Sequence, residues 1–511
     1  MELEAGMPLS VLFFWLVVTF SVLPTDTART SIAVPLKVQQ ETCTFILPKD
    51  VGDTEYYLII GSLTQDTQTH EITLKAQATR EPAHLPVMPN PVDKSWQTRM
   101  QSLKAALSEA RKKQQCKPIS KKITPPEKKA FFLFTGDGPW TKLSAYTAVV
   151  GQLRKIGKHC QVYTDSRIEN AKTNPMPESL CRCFDETIYP HINKKYGVPA
   201  DVDEDGRVTI LLSPLLSRLQ GGKVKVTGFV RGSDYLKEFT PPYGNRCDVL
   251  YLNSEETDQA FLHSVLVHEY MHAVILTHHV LREYVPGLQV QDEESWLNEA
   301  ICHMVEDESR FSWANLDHRI DAYLKAPHKY PLVVPNYYEA KMWRTAGTRG
   351  ATYLFLRWCA DKYGPDLLPA LVKSNLHGIA NLEAFTLQPF PHLFREWAVA
   401  QLLSGSEVAV LGVSPYRTHS LRATIGRFPL TGPLTETITA PTERKCSLSG
   451  TSLRYFRLNP VSGKLMRWTV SASAKTGLQV TLLRLPPGVS LLRKAEKDTF
   501  MKPSGKRNLP E

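Results

Sequence analysis

The ten residues VLVHEYMHAV at 265–274 constrain this chain more than any other segment. His268 and His272 are four residues apart, so on a helix both imidazoles project from one face and can bind one ion. Apart from the histidines, Glu269 is the only charged residue between Ser264 and Thr277, which predicts a helix buried on most sides. The alternative is a buried helix whose histidines hydrogen-bond to nearby backbone. We favour zinc, because H-E-x-x-H on a helix is a zinc-binding spacing and the glutamate can reach a water on the ion without ligating it.

A zinc site that keeps one open position needs a third protein ligand. His278 lies at the metzincin spacing, but that pattern requires a glycine at position 275, where this chain has Ile275. If the helix continues, His278 is about 240° around the axis from His272 and cannot reach the same ion. Glu299 is the better candidate, because the segment SWLNEAICHMVEDES has the apolar periodicity of a second helix. The alternative is that Glu299 is a surface acid.

The motif HEYMH at 268–272, followed by WLNE at 296–299, resembles the gluzincin metallopeptidases, and most nearly the hyicolysin-like secreted peptidases. The resemblance covers residues 155–375 and includes VDEDGRVTILL, the Gly228-Phe229 pair and DVLYLNS. It implies a zincin-like fold with His268, His272 and Glu299 as zinc ligands. It also implies peptide-bond hydrolysis by a zinc-bound water that Glu269 deprotonates.

The sequence departs from this family in the residues around the site. Thermolysin-type gluzincins carry an aspartate four residues after the ligand glutamate to support a zinc histidine, whereas this chain has His303 there. The donor to the oxyanion is also open, with Tyr337, Tyr338, Tyr353, His303 and Arg349 as candidates. The strand DVLYL is predicted to flank the cleft, where an extended peptide could add as a β-strand.

The chain as a whole predicts an α+β protein with a zincin-like catalytic domain flanked by two small β domains. The catalytic domain would combine a mixed sheet, an active-site helix and a helical C-terminal subdomain. We expect strands at 131–134, 159–165, 208–212 and 248–252, and helices at 94–114, 141–156, 258–278, 295–307, 348–363 and 366–374. The predicted divisions are an apolar segment 1–28, a β domain 29–88, an amphipathic helix and basic linker 89–130, the zincin-like domain 131–405, a second β domain 406–490 and a basic tail 491–511.

The net charge of +10 is concentrated in two stretches. Residues 111–129 contain eight Lys and Arg and one Glu, and residues 491–511 contain six Lys and Arg and three acids. Together these stretches account for the whole net charge, so the rest of the chain is neutral. A linker and a tail do not form a basic binding face, and we therefore expect no nucleic-acid partner.

The apolar run at 8–23 indicates an exported protein. It is shorter than the roughly 20 residues of a spanning helix and matches the apolar core of a secretory signal, although Glu2 and Glu4 replace the usual basic flank. The alternatives are an uncleaved anchor or a buried core segment. We expect a secreted or extracytoplasmic protein with no stable membrane span. The nine cysteines are odd in number, so at least one stays free or bonds another chain.

A second metal signal is the acidic segment DVDEDG at 201–206. Asp201, Asp203 and Asp205 match the first half of a calcium loop, but Leu212 stands where the bidentate glutamate is required. A structural Ca²⁺ ion and an acidic turn before a strand are both consistent with this pattern.

The predicted function is a secreted zinc-dependent endopeptidase acting on protein or peptide substrates. The alternative is a catalytically inactive peptidase-fold protein that serves as a secreted binding or adhesion module.

Overall fold

The computed structural model describes residues 31–48, 54–88, 98, 101–102, 123–168, 174–281 and 292–491. The apolar run at 8–23 and the basic tail after residue 491 lie outside these ranges. So do most of the basic linker and most of the helix predicted at 94–114. No helix within the described ranges is both long and apolar enough to span a bilayer.

The described residues form alternating groups of strands and helices. The strands are β1 Ile32–Leu36, β2 Thr42–Leu47, β3 Tyr56–Ser62, β4 Thr69–Thr79, β5 Lys128–Phe134, β6 Tyr146–Ile156, β7 Cys160–Asp165, β8 Val208–Ser213, β9 Gly228–Val230, β10 Val249–Asn253, β11 Thr424–Ile425, β12 Phe428–Pro429, β13 Thr435–Thr439, β14 Thr442–Ser449, β15 Leu453–Asn459, β16 Leu465–Ala472 and β17 Leu478–Arg484. The longer helices are α1 Met176–Cys183, α2 Tyr189–Tyr196, α3 Gln259–Leu276, α4 Ser295–Ser309, α5 Asp317–Lys325, α6 Ala346–Tyr363, α7 Leu367–Val372, α8 Gly378–Thr386 and α9 Phe390–Leu403. Single helical turns lie at Leu143–Ala145, Pro214–Ser217, Leu219–Gly222 and Gly232–Tyr235, and π-helical turns at Phe184–Ile188 and Thr277–Leu281.

Strands from the two ends of the chain form one β-sandwich. One sheet has the order β1-β17-β3-β15-β13 and the other β14-β4-β16-β2. Strand β4 pairs with β14 and β16, and β17 lies between β1 and β3. The prediction of two separate β domains at 29–88 and 406–490 is therefore wrong. Each segment supplies strands to both sheets, and neither alone can cover the apolar core that contains Phe45 and Trp468.

Between the two halves of the sandwich, the chain forms a six-stranded mixed sheet in the order β5-β6-β7-β8-β10-β9. Strands β7, β8 and β10 are parallel, whereas β5, β6 and β9 pair antiparallel with their neighbours. Helix α3 packs on one face of this sheet, where Leu250 and Leu252 share an apolar core with Val265 and Leu266. A mixed sheet combined with packed helices confirms the α+β class.

The segment 141–156, predicted as a helix, contains a single turn followed by the strand β6. The β-branched residues Thr147, Val149 and Val150 favour a strand, and Val149 is buried while Val150 is exposed, as alternation requires. The spacing of the apolar residues in this segment is compatible with a helix as well as with a strand. The predicted helices at 258–278, 295–307, 348–363 and 366–374 are confirmed as α3, α4, α6 and α7.

The eight cysteines in the described residues are free thiols, and seven of them are buried. The Cys160 thiol donates a hydrogen bond to Sγ of Cys181, and the two sulfur atoms are 3.5 Å apart. Cys116 lies outside the described residues.

Candidate metal centre

Helix α3 is mostly apolar and carries only a few polar side chains. Asp258 caps its start, where Oδ1 accepts a hydrogen bond from the backbone N–H of Phe261 at 3.0 Å. The helix is buried along almost its whole length, and His268 and Glu269 are only 4% and 6% exposed. Buried polar groups of this kind need partners. The partners of His268 and His272 come from helix α4.

The two histidines of the motif point one nitrogen each toward the same place. Nε2 of His268 and Nε2 of His272 are 3.0 Å apart. Nδ1 of His268 donates to Oε1 of Glu306, and Nδ1 of His272 donates to Oδ1 of Asn298 at 2.8 Å. In the neutral form of each ring, which is the form that binds a metal, a donating Nδ1 leaves a lone pair on the facing Nε2 atom. Two imidazoles on one tetrahedral zinc have nitrogens about 3.3 Å apart, which is close to the separation found here.

Glu299 approaches His268 from helix α4. Its Oε2 atom lies 3.3 Å from Nε2 of His268 and has no hydrogen-bond partner of normal geometry within the described ranges. The other oxygen, Oε1, accepts from Nη2 of Arg349 at 2.6 Å. The side chain is 13% exposed, so it is not a surface acid. One carboxylate oxygen is therefore held by arginine, and the other faces the histidine pair.

The partner of the first histidine is Glu306, a residue to which the sequence pattern assigns no role. Glu306 lies seven residues after Glu299, two helical turns along the same face of α4. Its Oε1 atom accepts from His268, from Nδ1 of His303 at 3.2 Å and from Nδ2 of Asn315 at 2.8 Å. His303, which stands where thermolysin-type relatives carry aspartate, packs with its ring 4.8 Å from that of His268. The helical period from Glu299 was the signal that could have identified Glu306.

Replacing Glu306 with glutamine should weaken zinc binding by about 10–100-fold, the usual loss when the partner of a ligating histidine is removed. The amide keeps the size of the side chain but no longer provides a charged acceptor for His268. Zinc competition with a chromogenic chelator measures the effect. The matched control is Glu308→Gln on the same helix, since Glu308 pairs with Lys195 at 2.8 Å. An unchanged zinc affinity in Glu306→Gln would contradict the assignment.

Charges around the histidine pair favour a cation. Burial disfavours the charged form of His268, but Glu306 and Glu299 outweigh burial and raise the pKa of His268 to about 10. Burial also acts to raise the pKa of Glu299, yet Arg349 and His268 hold it well below its usual value. Burial raises the pKa of Glu269 to about 7, in the range that suits a general base near neutral pH.

These groups open into a cavity of about 510 Å³. Strand β9 forms one wall, and a Cβ atom on its Gly228 would lie only 2.9 Å from Cγ of Glu269, so only glycine allows this close approach. The prediction that DVLYL flanks the cleft is wrong. This segment lies largely in β10, and β9 pairs with β10 on the side of the cleft as the edge strand of the sheet.

The five candidates for the oxyanion donor differ in whether they line the cavity. Tyr337, Tyr338 and Arg349 line the cavity. Tyr353 donates its hydroxyl to Asp307 at 2.9 Å, and His303 is engaged by the glutamate that also accepts from His268. His318 and Arg319 also line the cavity, although no motif in the sequence marks them.

His278 does not join the histidine pair. Its Nε2 atom hydrogen-bonds to the backbone carbonyl of Tyr196 at 2.9 Å, in the π-helical turn that continues α3. The helix continues through Ile275, and this supports the rejection of the metzincin pattern.

The structure does not support calcium at 201–206. Asp201 accepts two backbone N–H groups within its own loop, at 3.1 and 2.9 Å. Asp203 pairs with Lys129 at 2.7 Å, and Asp205 accepts from Gln161 at 2.6 Å. The three carboxylates are bound by protein donors, as the acidic-turn interpretation requires.

A buried H-E-x-x-H helix opposed by a glutamate from the next helix is the arrangement expected of a metallopeptidase. The comparison with known proteins agrees with this class. The neutral metalloprotease ShpI of Staphylococcus hyicus is 29% identical to this chain over 181 residues, and the chain is related to the metallopeptidases. The matched residues are 34% of this chain and 38% of the relative, so the chain spans less than two thirds of that protein's length. No protein-family model matches the chain.

Proposed function

We propose that this protein is a zinc-dependent endopeptidase that hydrolyses peptide bonds in proteins or peptides. One observation carries the proposal: Nε2 of His268 lies 3.0 Å from Nε2 of His272 and 3.3 Å from Oε2 of Glu299, and these residues line one cavity together with Glu269. The relationship to a metalloprotease supports it.

Zinc is the metal that these residues suit best. Two neutral imidazoles and one carboxylate form a common catalytic zinc set, and three protein ligands leave one position open. The buried Oε2 atom of Glu299 has no hydrogen-bond partner of normal geometry in the part of the chain that the structure describes, and binding an ion would satisfy it. Arg349 holds the other oxygen, so Glu299 would bind through a single atom.

Different residues of this chain would perform different steps of the hydrolysis. A zinc ion held by these ligands would polarise the scissile carbonyl and lower the pKa of a water molecule. Glu269 would take the proton of the attacking water and pass it to the leaving amine. Tyr337 is the candidate donor to the oxyanion, because this tyrosine lines the cavity and its hydroxyl makes no hydrogen bond of normal geometry among the described residues.

The substrate would bind along strand β9. As the edge of the mixed sheet, β9 has backbone groups available on its outer side, and an extended peptide can pair with them as an additional strand. Residues of β9 line the cavity that contains Glu269, so this pairing would place a peptide bond beside the general base. A peptide-like inhibitor bound away from β9 would contradict this geometry.

We also propose that the protein is exported. The apolar run at 8–23 followed by a polar segment supports export. N-terminal sequencing of protein recovered from the culture medium tests this proposal. An intact N-terminus on protein that stays in the cell would contradict it.

The alternative of an inactive binding module is not favoured. His268, Glu269, His272 and Glu299 are all present and line one cavity, and the relative is a metalloprotease.

Removing zinc should abolish hydrolysis of a quenched fluorescent peptide library, and adding Zn²⁺ back should restore it. Loss is expected because the ligands alone provide no electrophile for the carbonyl. The chelator 1,10-phenanthroline is the probe, and its non-chelating 1,7 isomer is the control. Full hydrolysis by protein shown to be free of zinc would overturn the proposed function.

A further inference from the structure

A second group of metal-binding side chains lies beyond the end of helix α3. One potential ligand atom from each of His279, Glu293 and His377 lies within 4.8 Å of the other two. His279 belongs to the π-helical turn Thr277–Leu281, Glu293 comes just before α4, and His377 comes just before α8. The cluster therefore joins three segments that are separate in sequence.

His279 is buried without satisfying either ring nitrogen. It is 2% exposed, and neither Nδ1 nor Nε2 makes a hydrogen bond of normal geometry in the described residues. The backbone carbonyls of Leu371 and Val372 are near enough to act on its pKa, although burial dominates and lowers the pKa to about 4. A buried histidine whose ring nitrogens lack hydrogen bonds of normal geometry can offer one of them to a metal ion.

Glu293 is a buried carboxylate surrounded by neutral donors. It is 4% exposed, its Oε1 accepts from the backbone N–H groups of Gly378 and Glu294 at 2.7 and 2.8 Å, and its Oε2 accepts from the Asn381 amide at 3.0 Å. No Lys or Arg forms an ion pair with it in the part of the chain that the structure describes. Gly378 has φ +53° and a Cβ there would overlap Glu294, so glycine is required for its N–H to reach Glu293.

We propose that His279, Glu293 and His377 form a second binding site, for a divalent transition-metal ion such as Zn²⁺. Two imidazoles and one carboxylate are the ligands that such ions prefer, and Ca²⁺ or Mg²⁺ would require more oxygen atoms. A divalent cation would supply the positive charge that the buried carboxylate lacks.

The second ion would tie the end of helix α3 to the start of α4 and to the connection between α7 and α8. His279 is seven residues beyond His272, so the two metal centres would be roughly 10 Å apart along the helix. Glu293 also lines the large cavity, which gives the ion a path from solvent. This site does not depend on the proposed peptidase function.

Metal counting on the full-length protein tests the proposal. After dialysis against buffered Zn²⁺, elemental analysis should find two ions per chain in the wild type and one in His279→Gln/His377→Gln. The variant His268→Gln/His272→Gln should also keep one ion, held at the second site. The control is His70→Gln in the sandwich, where His70 lies 3.0 Å from Asp66, and it should keep both ions.

The outcomes separate the two proposals. If the wild type holds one ion that is lost in His268→Gln/His272→Gln and kept in His279→Gln/His377→Gln, the second site is overturned and the proposed function stands. If the single ion shows the opposite pattern, the second site stands and the zinc peptidase is overturned. If far-UV circular dichroism shows that the double variant at 279 and 377 is unfolded, Glu293→Gln replaces it. That variant should bind the second ion at least tenfold more weakly, and unchanged binding of two ions would overturn the site.

Discussion

Replacing Glu269 with glutamine should lower kcat/KM by about 10²–10⁴-fold, the range of a general base, while zinc content stays at the wild-type level. Glutamine matches the size of glutamate in a position that is 6% exposed and close to Gly228, so the helix should pack as before. It has no lone pair basic enough to take the proton from water. Hydrolysis of a fluorescent peptide and elemental analysis on the same preparation measure the two effects.

The control for this substitution is Glu255→Gln, at an exposed position where the carboxylate accepts from Ser217. It should leave kcat/KM and zinc content unchanged. Wild-type turnover in Glu269→Gln would show that Glu269 is not the general base. Loss of zinc together with turnover would instead mean that Glu269 supports the metal.

Replacing Glu299 with glutamine should weaken zinc binding more than the roughly 100-fold upper limit expected for a residue that only supports a ligand. The reason is that the Oε2 atom facing His268 loses its charge and becomes part of a neutral amide. The amide oxygen can still accept from Arg349, so the buried guanidinium keeps a partner and the fold should survive. Activity should disappear at zinc concentrations that saturate the wild type and return only at higher concentrations.

The same control, Glu308→Gln, serves here because it lies on helix α4 and faces Lys195 instead of the cavity. Zinc affinity is measured by competition with a chelator, and circular dichroism checks the fold. Zinc binding within tenfold of the wild type in Glu299→Gln would show that another residue is the third ligand.

Together these two substitutions separate chemistry from metal binding. Glu269 follows the first histidine on α3, and Glu299 approaches from α4. If the proposed function is right, one variant binds zinc and does not turn over, and the other loses zinc. An inactive binding module would show no turnover to lose in either case.

Much of the candidate site could be predicted because it depends on short-range spacing. A four-residue interval brings His268 and His272 together on any helix, and an apolar helix around them must be buried. Glu299 required only the further inference that two neighbouring helices pack face to face. Glu306 was accessible by the same reasoning, since seven residues on a helix return to nearly the same face. The family expectation at position 303 directed attention to the wrong residue.

Other parts of the site depended on contacts between distant segments. Arg349 holds Glu299 from helix α6, and β9 forms the cavity wall instead of β10. No local pattern marks either feature, because a salt bridge between separate helices and the order of strands in a sheet are set by how the elements pack.

The sequence by itself determined the strands β5, β7, β8 and β10, the buried helix α3, the opposing helix α4 and the four side chains on which the proposed chemistry rests. These depend on hydrophobic period and on interactions within a few residues, which one chain displays directly. Only the tertiary structure decided that the two ends of the chain build one sandwich, that β6 is a strand, and that His279, Glu293 and His377 meet. The strand pairs of the sandwich join segments that are hundreds of residues apart, and alternation along a strand is the same whichever partner it finds.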